Sequence, residues 1–230
     1  MSKKNLLTGL LLVVLVAGNG MVQAAGDIFS VNFYAFGRNG WVDFTDEERA
    51  SLTIEADEAA GVEDWQTTDW ENIVVPWNPS APQDPVTITS TAGATATFTL
   101  ITARNGAPYH WAEVRSTLLD NANADLMDGH ANATEDDGEL FEMEVSDIPF
   151  ADYDVIVYLG ANEGQFGDGT GKIVLNGGPE QGFTLKEGEF DGTFTQIVDA
   201  TTPGNYVLFE KLEDSSFTIQ VWGNGFNHIA

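Results

Sequence analysis

Hydrophobic and polar residues alternate along most of the chain after residue 27. In Leu140–Val145, Phe141, Met143 and Val145 interleave with Glu142 and Glu144. A period of two sends successive side chains to opposite faces, so this stretch predicts a half-buried strand. Asp27–Phe36 predicts an opening strand. Val86–Ser90 and Thr95–Thr102 predict a hairpin closed by Thr91-Ala92-Gly93-Ala94. Val155–Leu159 is apolar throughout, as expected of a strand covered on both faces. Lys172–Leu175, Gly182–Leu185, Thr193–Val198, Tyr206–Lys211 and Ser216–Trp222 follow at intervals of about ten residues. Glu189–Lys211, with its Pro203-Gly204-Asn205 corner, is expected to form a hairpin. Regular short strands separated by turn residues predict an all-β sandwich or barrel.

Helix signals are few. Thr45 and Glu48 are spaced as a capping box and predict a short helix over Asp46–Ser51. His110–Leu119 is a second candidate. Val75–Pro85 contains four of the eight prolines and is expected to be loop or edge.

The first 24 residues depart from this pattern. Lys3 and Lys4 precede an apolar run of 12 residues, Leu6–Ala17, which is short for a membrane span. Val22-Gln23-Ala24 then places small residues for cleavage. This layout predicts a signal peptide removed after Ala24, hence secretion to the cell surface, medium or periplasm. The mature chain, 25–230, has 206 residues, a size that suits one β-sandwich domain. About 70 % of its unfolded surface can be buried, enough for a core without staples. There is no Cys, so an exported chain folds here without disulfides.

Charge narrows the function. Once Lys3 and Lys4 leave with the leader, seven basic residues face 36 acidic ones, a net charge of −29. Such a chain repels phosphate backbones and anionic lipid, which argues against nucleic-acid binding, and it favours a soluble monomer. Aromatic residues at 11 % argue for a packed core rather than disorder.

Catalytic motifs are weak. There is no Gly-x-Ser-x-Gly elbow, and His110, His130 and His228 stand apart from any zinc spacing. Gly164–Lys172 lacks the first Gly and the Ser/Thr of a phosphate loop and precedes a strand. Paired carboxylates for glycoside hydrolysis will occur by chance among 36 acids. Asp120, Asn121, Asn123, Asp125 and Asp128 supply the hard oxygen donors that Ca²⁺ takes, though not in EF-hand spacing, so a structural Ca²⁺ is a candidate cofactor. Trp41, Trp65, Trp77 and Tyr109 lie in polar, loop-like stretches. Trp222 should face away from Phe217, Ile219 and Val221. These five rings are candidate platforms for a sugar face.

The order of several short pieces is also familiar. Ser30–Phe36 (SVNFYAF), Ala60-Gly61-Val62 before Trp70-Glu71-Asn72, Asp125–His130 (DLMDGH) and Ile148-Pro149 before Tyr153–Tyr158 (YDVIVY) run in sequence. Phe190–Phe194 and Gly204–Val207 complete the set. Together they resemble secreted bacterial β-sandwich proteins of the jelly-roll, galactose-binding-like kind associated with PEP-CTERM sorting tails. Residues 38–50 look like an insertion relative to that pattern, and the sequence stops at Asn224–Ala230, where such proteins run on into a closing strand, so the 25–230 domain is expected to be truncated at its last strand. It further implies a non-catalytic module that binds extracellular polysaccharide or serves at the cell surface. A polysaccharide-active hydrolase and a purely structural exported protein are the rival expectations.

Overall fold

The computed structural model describes residues 12–16, 27–35, 37–38, 42–43, 53–75, 82–103, 121–128, 140–160, 169–186 and 190–224. The expected short helices at 46–51 and 110–119 lie outside them.

The protein is an all-β sandwich. Its strands are β1 (Leu12–Val16), β2 (Ile28–Ala35), β3 (Gly37–Arg38), β4 (Val42–Asp43), β5 (Glu71–Val75), β6 (Val86–Thr89) and β7 (Thr95–Ala103). They continue with β8 (Leu140–Ser146), β9 (Tyr153–Tyr158), β10 (Thr170–Leu175), β11 (Gln181–Leu185), β12 (Pro203–Gly204), β13 (Tyr206–Leu212) and β14 (Phe217–Asn224). Among the described residues one α-helix, α1 (Ala122–Asp128), interrupts them. A five-stranded sheet runs β13-β9-β1-β2-β5 and a seven-stranded sheet runs β12-β11-β10-β14-β8-β7-β6. β3 and β4 form a separate short pair.

Alternation builds the core between the two sheets. Phe141, Met143 and Val145 are buried while Glu142 and Glu144 stay half-buried, as the sequence period requires. Phe217, Ile219 and Val221 on β14 and Phe98 and Leu100 on β7 join the same core. Ring contacts cross the layers: Phe33 lies 5.5 Å from Phe98 and 6.2 Å from Phe141, and Tyr153 lies 6.1 Å from Phe217. Such tilted and edge contacts suit the aromatic quadrupole.

The five-stranded sheet is covered on its other face as well. Asn32 and Asn72 sit opposite each other on the parallel pair β2–β5, and Asn32 Nδ2 donates to Asn72 Oδ1 at 2.8 Å. Asn72 then mimics a strand edge. Its Oδ1 accepts from Ile54 N at 3.0 Å and its Nδ2 donates to Ile54 O at 2.9 Å. The backbone of Val62 donates to the Tyr158 hydroxyl at 2.8 Å. These bonds pin residues 53–70 across the sheet. They explain why Val155 to Leu159 are all fully buried.

The expected hairpin at Glu189–Lys211 does not form. β12 pairs in parallel with Thr184 and Leu185 of β11, whereas β13 pairs with β9 in the other sheet. The chain therefore changes sheets at Asn205. The expected strand Thr193–Val198 makes only one isolated bridge, Gln196 to Tyr206. Its backbone is bonded locally instead. Asn205, only 5 % exposed, accepts from Thr195 N at 2.7 Å and donates to Thr193 O at 2.9 Å. Among the apolar members of that run, Ile197 is buried, Phe194 is half-buried with its ring 5.1 Å from Tyr158, and Val198 is 63 % exposed, so the run does not alternate as a strand would.

Tyr153 and Tyr158 couple the fold to alkaline pH. Tyr153 donates its hydroxyl to Asp214 O at 2.8 Å. Burial, and then the Asp214 charge, raise its pKa from 10.0 to about 12. Burial pushes Tyr158 up further. A raised tyrosine pKa gives stability that is whole below the unfolded value and drains away as pH climbs through the folded one. We expect stability to hold up to about pH 10 and fall towards pH 12. Tyrosinate absorbance should rise together with loss of near-ultraviolet dichroism. Full ionisation of all tyrosines in a still-folded chain would contradict this.

Candidate functional site

The outward row of β14 carries Thr218, Gln220 and Trp222, all half-buried. Trp222 sits opposite Lys172 of β10, and Lys172 sits opposite Gly182 of β11. The Lys172 ammonium lies 4.6 Å from the centre of a Trp222 ring, a cation–π contact. The same ammonium pairs with the exposed Glu180 at 2.5 Å. Gly182 has no side chain because Ala200 packs against it: a Cβ there would come within 2.8 Å of the Ala200 Cβ. Thr184 Oγ1 donates to Ala200 O at 2.6 Å and holds that loop down.

The loop is itself fixed by Asp199. Its carboxylate accepts from Thr201 N at 2.7 Å, Thr202 N at 2.8 Å and Thr201 Oγ1 at 2.8 Å. The Thr201 bonds, hydroxyl first, lower its pKa from 3.8 to about 2. The outer face of the seven-stranded sheet thus presents an indole, an ammonium, a carboxylate and a rigid acidic loop in one row. Val174, outward on β10 and buried apart from the core cluster, adds an apolar position opposite Gln220. Alternation along β14 made Trp222 readable from sequence. Lys172, Glu180 and Asp199 were missed, since their approach depends on which strands are neighbours.

Of the other candidate rings only Trp65 is among the described residues, and it does not join this row. Trp65 lies in a 3-10 turn, Glu63–Trp65, of the segment covering the five-stranded sheet, and is half-buried against the core. Trp41, Trp77 and Tyr109 lie outside the described residues, as do His110, His130 and His228.

The segment expected to hold Ca²⁺ contains a helix. Asn121 Oδ1 accepts from Asn123 N at 3.1 Å and Ala124 N at 3.2 Å, which caps α1. Ala122, Leu126 and Met127 bury its apolar face. Asn123 Oδ1 accepts from Gly61 N at 2.8 Å, so it tethers α1 to the 53–70 cover. Two of the five expected donors therefore serve the fold. Asp125 is half-buried, and Asp120 and the side chain of Asp128 lie outside the described residues. Among the described residues, no three His, Asp or Glu side chains group as metal ligands.

Some of the pieces quoted for the resemblance touch one another or α1. Gly61 and Val62 reach Asn123 and Tyr158, and Asn32 reaches Asn72. Their contacts are structural. Among the described residues no helix is long and apolar enough to cross a membrane. No family model, curated protein or solved structure matches the chain.

Proposed function

We propose that the chain is a secreted, non-catalytic module of jelly-roll, galactose-binding-like type that binds carbohydrate on the outer face of its seven-stranded sheet. The observation that carries this reading is the Trp222–Lys172 pair with Glu180 at its side. An indole face takes the apolar C–H face of a pyranose, and a few placed polar groups fix its hydroxyls. Here the ammonium and carboxylate supply a donor and an acceptor beside the ring. The net negative charge favours neutral glycans over uronates and sulfated chains.

Glycan-array screening followed by calorimetry tests this. Binding of a neutral oligosaccharide is expected, and Trp222→Ala should abolish it. The variant should keep the wild-type fold, because Trp222 faces away from the Phe217, Ile219 and Val221 core row. Binding that survives Trp222→Ala moves the site elsewhere. Release of reducing sugar would favour a hydrolase, and silence in both assays a purely structural protein.

A further inference from the structure

The segment expected to leave with the signal peptide occupies the middle of a sheet. β1 pairs antiparallel with β2 on one side, with Val13 opposite Val31 and Val16 opposite Ile28. On the other side it pairs antiparallel with β9, with Leu12 opposite Tyr158 and Val16 opposite Asp154. Removal of Met1–Ala24 would leave β2 and β9 one strand apart, with two rows of backbone N–H and C=O groups unpaired. Neither row can stay dry without partners. The walls are also buried on both faces. Phe29, Val31, Val155 and Val157 are buried towards the seven-stranded sheet, and Ser30, Asn32, Ile156 and Tyr158 are buried beneath the 53–70 cover. Any filler must therefore be uncharged at every position, not at alternate ones.

We infer that the processed protein is a strand acceptor: the slot between β2 and β9 takes an aliphatic strand from another polypeptide, running antiparallel to both walls. This rests on the secretion reading above. Two facts argue for a donor in trans. Among the described residues, every strand after Ala24 already has its place in a sheet or in the short β3–β4 pair. And within residues 25–230 no run of five consecutive Ala, Val, Ile, Leu or Met occurs, whereas Leu12-Val13-Val14-Leu15-Val16 is one. Donated main-chain bonds supply affinity in such augmentation, and side-chain burial supplies selectivity. The leader strand then acts as a placeholder that closes the sheet in the precursor.

The test begins with the full chain produced in an exporting host. Mass spectrometry reads its N-terminus. An uncut chain ends the secretion reading and the inference with it. The cut protein is then mixed with a lysine-flanked peptide carrying Leu12–Val16. The peptide should bind, and amide exchange across Ile28–Val31 and Asp154–Tyr158 should slow by at least about tenfold. A Val14→Pro peptide, which lacks a ladder N–H, should do neither. If the cut protein is unfolded alone, the first peptide should restore its β-sheet dichroism and the second should not. A cut, folded protein that takes up no peptide overturns the inference. So does prior protection of those amides, by dimerisation seen in light scattering or by the chain's own residues 225–230.

Discussion

Gly171→Ala is expected to lower the melting temperature by roughly 6–12 °C. Gly171 is buried on β10, opposite Phe183 of β11 and Gly223 of β14. A Cβ placed on it would lie 2.3 Å from Phe183 Cζ and 2.3 Å from the Trp222 carbonyl oxygen. The ring can rotate aside, but the carbonyl belongs to the neighbouring strand and cannot move without opening the ladder. Overpacking of this kind costs about 3 kcal/mol, and each kcal/mol is about 2–4 °C for a chain of this length. Gly177→Ala is the control. That glycine has φ +63° with nothing within 4 Å of the added atom, so only backbone strain of about 1 kcal/mol applies. Phe183→Leu should rescue Gly171→Ala only in part, because the carbonyl remains. Full rescue, or a melting shift of Gly171→Ala no larger than that of Gly177→Ala, would show that the backbone approach is not limiting.

Gly171 also marks the limit of what the sequence made readable. Alternation and short β-rich runs located β2, β6 to β11, β13 and β14, and alternation named Phe141, Met143 and Val145 as core. It could do so because burial on one face imposes a period of two. It could not say that β10 lies between β11 and β14, and that adjacency makes Gly171 irreplaceable. The same gap hid the Lys172–Trp222 row. The helix Ala122–Asp128 with its Asn121 cap was not foreseen, because the closely spaced oxygen donors of the same stretch also suit a Ca²⁺ site. Both readings use the same amide oxygens, and α1 shows where two of them go. The leader read as a removable segment because its composition is that of an export signal. Five aliphatic residues suit a strand buried on both faces just as well, and composition cannot separate the two.

Asn205→Ala should destabilise the fold by about 2–4 kcal/mol, read as a lower urea midpoint. The substitution removes an amide that is 5 % exposed, and it leaves Thr195 N–H without its acceptor and Thr193 C=O without its donor. Each group costs about 1–3 kcal/mol if it stays dry, less where water enters. The site matters beyond its own bonds. Asn205 N donates to Thr195 O at 2.8 Å, and Asn205 O accepts from Leu159 N at 2.8 Å, so the residue clamps the crossing from β12 to β13. Asn205→Asp gives a sharper test through its sign. Its carboxylate could still accept from Thr195 N–H but would face the Thr193 carbonyl with no proton to give. Protonation restores a donor, so the carboxyl pKa in the folded state should be raised above the unfolded value of about 3.9. A raised carboxyl pKa means stability that is greatest at low pH and lost as pH rises through the unfolded and then the folded value. The variant should therefore be much weaker than wild type at pH 7 and approach it near pH 4. A gap independent of pH would show that the Thr193 bond contributes nothing, and that Asn205 holds the crossing through Thr195 alone.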